Sequence, residues 1–209
     1  MKDTDLAALL CSKLCHDLVS PVGALSNGVE LLSEDGQDAS MVGQVVPLLE
    51  SSARQTANRL HFFRLAFGAG AAFGARIDAR EVQTTLDRLF DGSKVDLAWQ
   101  LDWATIEKDQ AKILLNLAII AGEGLLRGGR LTIRGREAAA ASLTIEAEGA
   151  RVLIAPASRA AIERGQAPSL EDARAAPAYL ARRIADEIGA RLDMVEPADG
   201  RIAFTVTVL

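Results

Sequence analysis

The amino-acid sequence predicts an α+β chain: an antiparallel helical hairpin that a second copy doubles into a four-helix bundle, followed by an α/β sandwich. Three observations carry this reading. Apolar residues recur at alternating steps of four and three through residues 3–67. The small residues Gly68-Ala69-Gly70-Ala71-Ala72-Phe73-Gly74 then interrupt the pattern as a linker. Beyond them, helical periodicity and period-two alternation take turns, as in layered α/β domains. The predicted division is a dimerising hairpin at 1–74 and a sandwich at 75–209.

The first helix is expected from Asp3 to Ser33, with a seam at Cys11, Cys15, Leu18, Val22, Leu25, Val29 and Leu32. Ser33 to Ala39 is polar, contains Gly36 and makes a short antiparallel connection. The second helix starts near the N-cap residue Ser40. Its seam is Val42, Val46, Leu49, Ala53, Thr56, Leu60, Phe63 and Phe67. A lone two-helix hairpin cannot bury both apolar faces, so a homodimer through residues 1–70 is expected. In the second part, Arg80 to Phe90 reads as an amphipathic helix, Val95 to Leu101 as a strand and Lys108 to Leu126 as a long apolar helix. Gly129 to Gly135 and Ser142 to Glu148 read as paired strands. Pro177 opens a helix to Ile188, and strands at Arg191 to Val195 and Ile202 to Val208 close the sheet.

Composition excludes several functions. A net charge of −5, with no basic patch among aromatics, argues against nucleic acid, which is bound by clustered Lys and Arg. The N-terminus MKDTDLAALL lacks a signal peptide's long apolar run. No stretch approaches the ~20 apolar residues that span a bilayer; the longest, Ile113 to Leu126, is broken by Asn116, Gly122, Glu123 and Gly124. Two cysteines make no disulfide framework, and Cys11 and Cys15 are expected as small buried seam residues. A soluble cytoplasmic protein without membrane partners is the expectation.

The informative segment is Leu14-Cys15-His16-Asp17-Leu18-Val19-Ser20-Pro21. At ~100° per residue, His16 sits off the apolar seam. Ser20, Gly23 and Asn27 follow on its face, and Ser12 and Lys13 lie one turn before it. Apart from Lys13 the strip is small and polar, so a protein surface can approach the imidazole. Pro21 lies mid-helix and frees the carbonyl of Asp17. A solvated surface histidine is the plain alternative. An exposed His-Asp pair with a proline five residues after the histidine, on a dimeric bundle, instead describes a phosphoacceptor helix. His61, in Arg59-Leu60-His61-Phe62-Phe63-Arg64, has no such setting and reads as structural.

Residues 12–32, SKLCHDLVSPVGALSNGVELL, resemble the phosphoacceptor helix of the alphaproteobacterial histidine phosphotransferases of the ChpT type. More distantly they resemble the H-box of sensor histidine kinases. The layout of the whole chain is similar: a dimerising hairpin, then a degenerate kinase-like ATPase domain. The resemblance to kinases also exposes what is missing. Their N-box has asparagine at both ends of a five-residue span, the second binding magnesium; here the first matches Asn116 and the second is Ile120, which offers no lone pair. Their adenine-binding aspartate corresponds to Ala147 in Ala147-Glu148-Gly149-Ala150-Arg151, with Arg151 in place of a second glycine. A shift in alignment would put Glu148 at the adenine contact. The glycine-rich phosphate loop is replaced by Ala175-Ala176-Pro177-Ala178-Tyr179, where proline lacks an N–H and side chains block close backbone approach.

The resemblance thus implies a histidine phosphotransferase with no nucleotide, cofactor or metal of its own, the magnesium being expected on the partner. An ordinary imidazole, with a pKa near ~6.5, is largely neutral at neutral pH and nucleophilic. A ring nitrogen of His16, expected to be Nε2, would accept the phosphoryl group from one receiver domain and yield it to another. Asp17 aligns with the kinase residue implicated in activating the histidine, though a ~100° offset leaves direct ring contact open. Lys13 is expected to steady the phosphohistidine. Docking is expected on Ser12, Lys13, Val19, Ser20, Gly23 and Asn27, Val19 supplying an apolar contact unless the second domain covers it. The implied partners are response-regulator receivers: a CckA-type hybrid kinase receiver as donor and CtrA- and CpdR-type regulators as acceptors. A divergent ATP-dependent kinase and a non-catalytic dimeric receiver-binding adaptor remain as alternatives.

Overall fold

The computed structural model describes residues 1–35, 39–68, 74–136 and 142–208. Helix α1 runs from Asp3 to Asp35 and α2 from Ala39 to Phe67, each unbroken through an internal proline, Pro21 and Pro47. The two pack as an antiparallel pair. Gly28 lies so close to α2 that a Cβ there would meet Leu49 Cδ2 at 2.6 Å, while Asp17 approaches Arg59 further along. Most of the connection, 36–38, and most of the linker, 69–73, lie outside the described residues.

The α1 face turned inward is not the expected seam. Leu6, Leu9, Lys13, Pro21 and Gly28 are buried, whereas Cys11, Cys15, Val22 and Val29 are exposed. The two cysteines are therefore not buried by their own chain. The heptad of Cys11, Cys15, Val22 and Val29 faces outward because α2 occupies the neighbouring stripe. This outward apolar stripe also makes α1 the one helix among the described residues long and apolar enough, by composition alone, to cross a membrane.

The rest is a two-layer sandwich. Asp78 caps α3 (Ala79–Phe90) by accepting from Arg80 N–H at 2.8 Å. Short strands β1 (Arg76–Asp78) and β3 (Thr105–Glu107) pair antiparallel beside it. The main sheet has the order β2-β4-β5-β7-β6. Its strands are β2 (Val95–Gln100), β4 (Gly129–Arg136), β5 (Ser142–Glu148), β6 (Ala190–Ala198) and β7 (Arg201–Val208). β2 and β4 are parallel, because α4 (Lys108–Gly124) crosses between them; the other pairs are antiparallel. Along β5, Leu143, Ile145 and Ala147 point to the core. The outer face is polar and laced by cross-strand pairs, Arg130–Asp96 at 3.0 Å and Arg134–Glu146 at 3.4 Å. α4 and α6 (Ala176–Glu187) cover the inner face, and α5 (Pro156–Arg164) packs on α6.

The expected helices and strands of the sandwich are all present. β1, β3, α5 and the 3₁₀ turn at Ala173–Ala175 had no readable signal, being short and without a sustained period. The core runs on across residue 74: Leu6, Phe62, Phe63, Leu65 and Ala66 join the same apolar cluster as α4 and the sheet. Asn116 Nδ2 donates to the Ala66 carbonyl at 3.1 Å, tying α4 to the end of α2.

Candidate functional site

His16 stands on α1 with 62% of its side chain exposed. Asp17 beside it is the opposite, with 8% exposed, and Asp17 Oδ1 lies 3.1 Å from His16 Nδ1. The direct ring contact left open by the helical offset is therefore made. A carboxylate can only accept, so the contact favours a proton on Nδ1, and in the neutral ring that leaves Nε2 its lone pair. Among the described residues Nε2 has no hydrogen-bond partner.

Asp17 is itself held. Its Oδ2 accepts from Lys13 Nζ at 2.6 Å, one turn back on the same helix, and Arg59 Nη1 of α2 lies 3.8 Å away. Lys13 also donates to Glu123 Oε1 of α4 at 2.7 Å. The Lys13 side chain is 3% exposed, and such a buried ammonium is tolerated because two carboxylates receive it. This burial corrects the expectation that Lys13 belongs to the docking surface. Its four-carbon stem turns into the chain, and its charge is taken by Asp17 and Glu123.

The remaining strip is open. Ser12, Ser20 and Asn27 are exposed, and Val19 is 69% exposed, so the second domain does not cover it. A Cβ added at Gly23 would meet nothing within 4 Å. Across from His16 a cleft of about 380 Å³ is lined by Ser12, Lys13 and His16 on one side and by Glu171, Asp172, Ala173 and Arg174 on the other. Arg174 is exposed and has no ion-pair partner among the described residues. Arg59, Glu123 and Arg174 were missed in the sequence. Glu123 and Arg174 lie 107 and 158 positions from His16, where no local spacing rule reaches (123 − 16; 174 − 16).

The positions matching the kinase nucleotide motifs are filled with core. Asn116 is fully buried and uses its amide on the Ala66 and Lys112 carbonyls. Ile120 is 5% exposed and Ala147 fully buried. Glu148 is engaged on the sheet by Arg201 at 2.7 Å. Gly149 is needed for packing, since a Cβ there would lie 2.7 Å from the Gly128 carbonyl oxygen. Pro177 and Tyr179 are buried in α6. These side chains do not fit a magnesium-bound nucleotide.

Known proteins show which family the chain belongs to. Residues 79–200 match the family described as the histidine phosphotransferase C-terminal domain. The chain is 34% identical over 196 residues to the protein phosphotransferase ChpT of Brucella abortus (strain 2308), covering 93% of this chain and 92% of that protein. It belongs to the histidine phosphotransferase family. A solved bacterial phosphotransferase superposes with a TM-score of 0.84 and 33% identity over 99% of this chain and 97% of the other. Catalytic domains of histidine kinases are also structural neighbours of this family member, such as that of ThkA, at a TM-score of 0.48 and 16% identity over 64% of this chain and 94% of the other. Membership makes the chain a protein phosphotransferase of two-component signalling, and its helical hairpin and α/β sandwich follow in the expected order.

Proposed function

We propose that the chain relays a phosphoryl group between the aspartates of response-regulator receiver domains through a phosphohistidine at His16. The observation that carries this reading is an exposed imidazole whose Nδ1 is engaged by a buried carboxylate, which leaves Nε2 as an open nucleophile.

The Nε2 lone pair attacks the phosphorus of a donor aspartyl phosphate. A P–N bond forms, the P–O bond to the aspartyl group breaks, and the donor carboxylate leaves with its electron pair. The ring becomes cationic without losing its Nδ1 proton, and Asp17 balances that charge. The acceptor carboxylate then attacks phosphorus, the N–P bond breaks and the neutral imidazole returns. No net proton moves. Such transfers depend mainly on positioning and charge neutralisation. Arg174, across the cleft from His16, supplies a guanidinium for the phosphoryl oxygens in flight. The magnesium ion comes with the receiver.

Receivers dock on Ser12, Val19, Ser20, Gly23 and Asn27, where the strip is open. By family likeness the donor is a CckA-type hybrid kinase receiver and the acceptors are CtrA- and CpdR-type regulators. Two copies assemble through the bare stripe of Cys11, Cys15, Val22 and Val29, joined by Leu60 of α2. The protein works in the cytoplasm without ATP, nucleic acid or membrane; Ile120, Ala147 and Pro177 at the nucleotide positions support the first point.

The test is transfer from a receiver carrying labelled aspartyl phosphate. Acid-labile label is expected on the wild-type chain and none on His16→Gln. Label surviving in His16→Gln, or none on the wild type, would refute the reading. Incubation with labelled Mg-ATP alone is expected to leave the chain unlabelled.

A further inference from the structure

We propose that Glu123, on the sandwich, is a positioning residue for phosphotransfer at His16, a reading that rests on the relay described above. The structure shows one continuous chain of contacts between them. Glu123 Oε1 receives Lys13 at 2.7 Å, Lys13 reaches Asp17 at 2.6 Å, and Asp17 faces His16 Nδ1 at 3.1 Å. The first contact joins two domains, and the second and third lie on one helix.

Two features make Glu123 more than a clasp between domains. First, one ammonium serves both carboxylates, so whatever fixes Lys13 on one side fixes Asp17 on the other. A lysine stem has four rotatable bonds and loses its definition readily. Second, Asp17 Oδ2 has a competing cation, Arg59, at 3.8 Å. With Lys13 anchored, the nearer ammonium holds the carboxylate and Oδ1 stays on the imidazole. With Glu123 neutralised, Lys13 loses its anchor and the local charge shifts by +1. Arg59 then draws Asp17 aside, and Nδ1 loses its acceptor. An unconstrained imidazole favours the opposite tautomer, with the proton on Nε2, and in that form Nε2 has no lone pair to offer phosphorus. This contact gives the sandwich a task in the chemistry: it holds the acceptor histidine in its reactive form.

Glu123 is half-exposed at the end of α4, so Glu123→Gln leaves the buried face of that helix untouched. The test uses full-length protein with ¹⁵N-labelled histidine and reads the His16 tautomer from long-range ¹H–¹⁵N spectra at neutral pH. Single-turnover transfer from a phosphorylated receiver is measured in parallel as a function of receiver concentration. In Glu123→Gln the Nδ1–H signal is expected to lose its dominance. The maximal rate is expected to fall about tenfold, as for other outer-shell partners of a functional imidazole, with half-saturation unchanged. Glu123→Asp keeps the charge and is expected to restore the tautomer and most of the rate. A Glu123→Gln protein with wild-type tautomer and rate, altered only in thermal midpoint, would make Glu123 a clasp and overturn the proposal. If the wild type takes no label at all, the relay reading fails, while the tautomer comparison still decides the role of Glu123.

Discussion

Helices α1 and α4 have similar apolar content and very different surroundings. Among the described side chains of α1, a helix of 33 residues, only Leu6, Leu9, Lys13, Pro21 and Gly28 are buried. In α4, every position from Ile113 to Gly122 is buried. A helix that is apolar all round and covered all round is finished core. A helix with an apolar stripe left in the open is waiting for a partner. His16 sits on the second kind, where the proposed transfer between proteins finds the access that it needs. Access alone would leave the imidazole loose, and the Lys13–Glu123 contact brings the rigidity of the covered helix to the open one.

The largest effect that separates the two regions is on stability. Leu114→Ala removes a fully buried side chain from α4 and is expected to cost ~2–5 kcal/mol in urea unfolding at fixed protein concentration. Val22 is 47% exposed on the open stripe. Val22→Asp is expected to leave helix content intact and to convert a dimer to a monomer in sedimentation. A monomeric wild type, or a Val22→Asp chain that unfolds outright, would break the contrast between finished and unfinished helices.

Next in size is the contact that joins access to order. Asp17→Asn keeps the shape of the side chain and removes the charge that favours an Nδ1 proton. Transfer is expected to slow about a hundredfold, equivalent to ~2.7 kcal/mol, with receiver binding unchanged by calorimetry. A loss of binding with the rate intact would make Asp17 a docking residue. On the sandwich side, Arg174→Ala is expected to lower the rate about tenfold, or ~1.4 kcal/mol, in the same single-turnover measurement. An unchanged rate would remove the sandwich's guanidinium from the reaction and leave its contribution to Glu123 alone.

The hairpin and the order of the sandwich were legible in the sequence because both rest on local periodicity. The 3.5-residue spacing of α1 and α2 and the alternation of β5 survive any tertiary arrangement. The direction in which a seam faces does not. Cys11, Cys15, Val22 and Val29 form a clean heptad, yet Leu6, Leu9 and Lys13 took the inner side, because the end of α1 also had to meet the sandwich core at Phe62 and Phe63. Lys13 shows the same limit: its spacing from Asp17 is readable, but its burial depends on Glu123, 110 residues away. His16 was legible because its neighbours Asp17, Ser20 and Pro21 follow it directly, whereas Arg59, Glu123 and Arg174 reach it only through the fold.

The smallest expected effect concerns the other histidine. His61 lies where α2 meets α3, with Arg64 Nη2 at 3.1 Å from Nδ1 and Glu81 at 4.0 Å from Nε2. Burial first, and then the positive charge of Arg64, hold its pKa below the ordinary 6.5; Glu81 pulls the other way, and Arg88 adds a smaller push down. The folded chain therefore binds its proton less readily than the unfolded chain does. As pH falls from neutrality through 6.5, the unfolded state takes up the proton first, and stability declines until the lower folded pKa is passed. His61→Gln is expected to flatten this part of the thermal midpoint between pH 7.5 and 5.5 and to leave transfer through His16 unaffected. A midpoint that rises on acidification in the wild type relative to His61→Gln would show Glu81 to be the dominant neighbour. The seam between hairpin and sandwich would then rest on a charge pair in place of a neutral, half-buried ring.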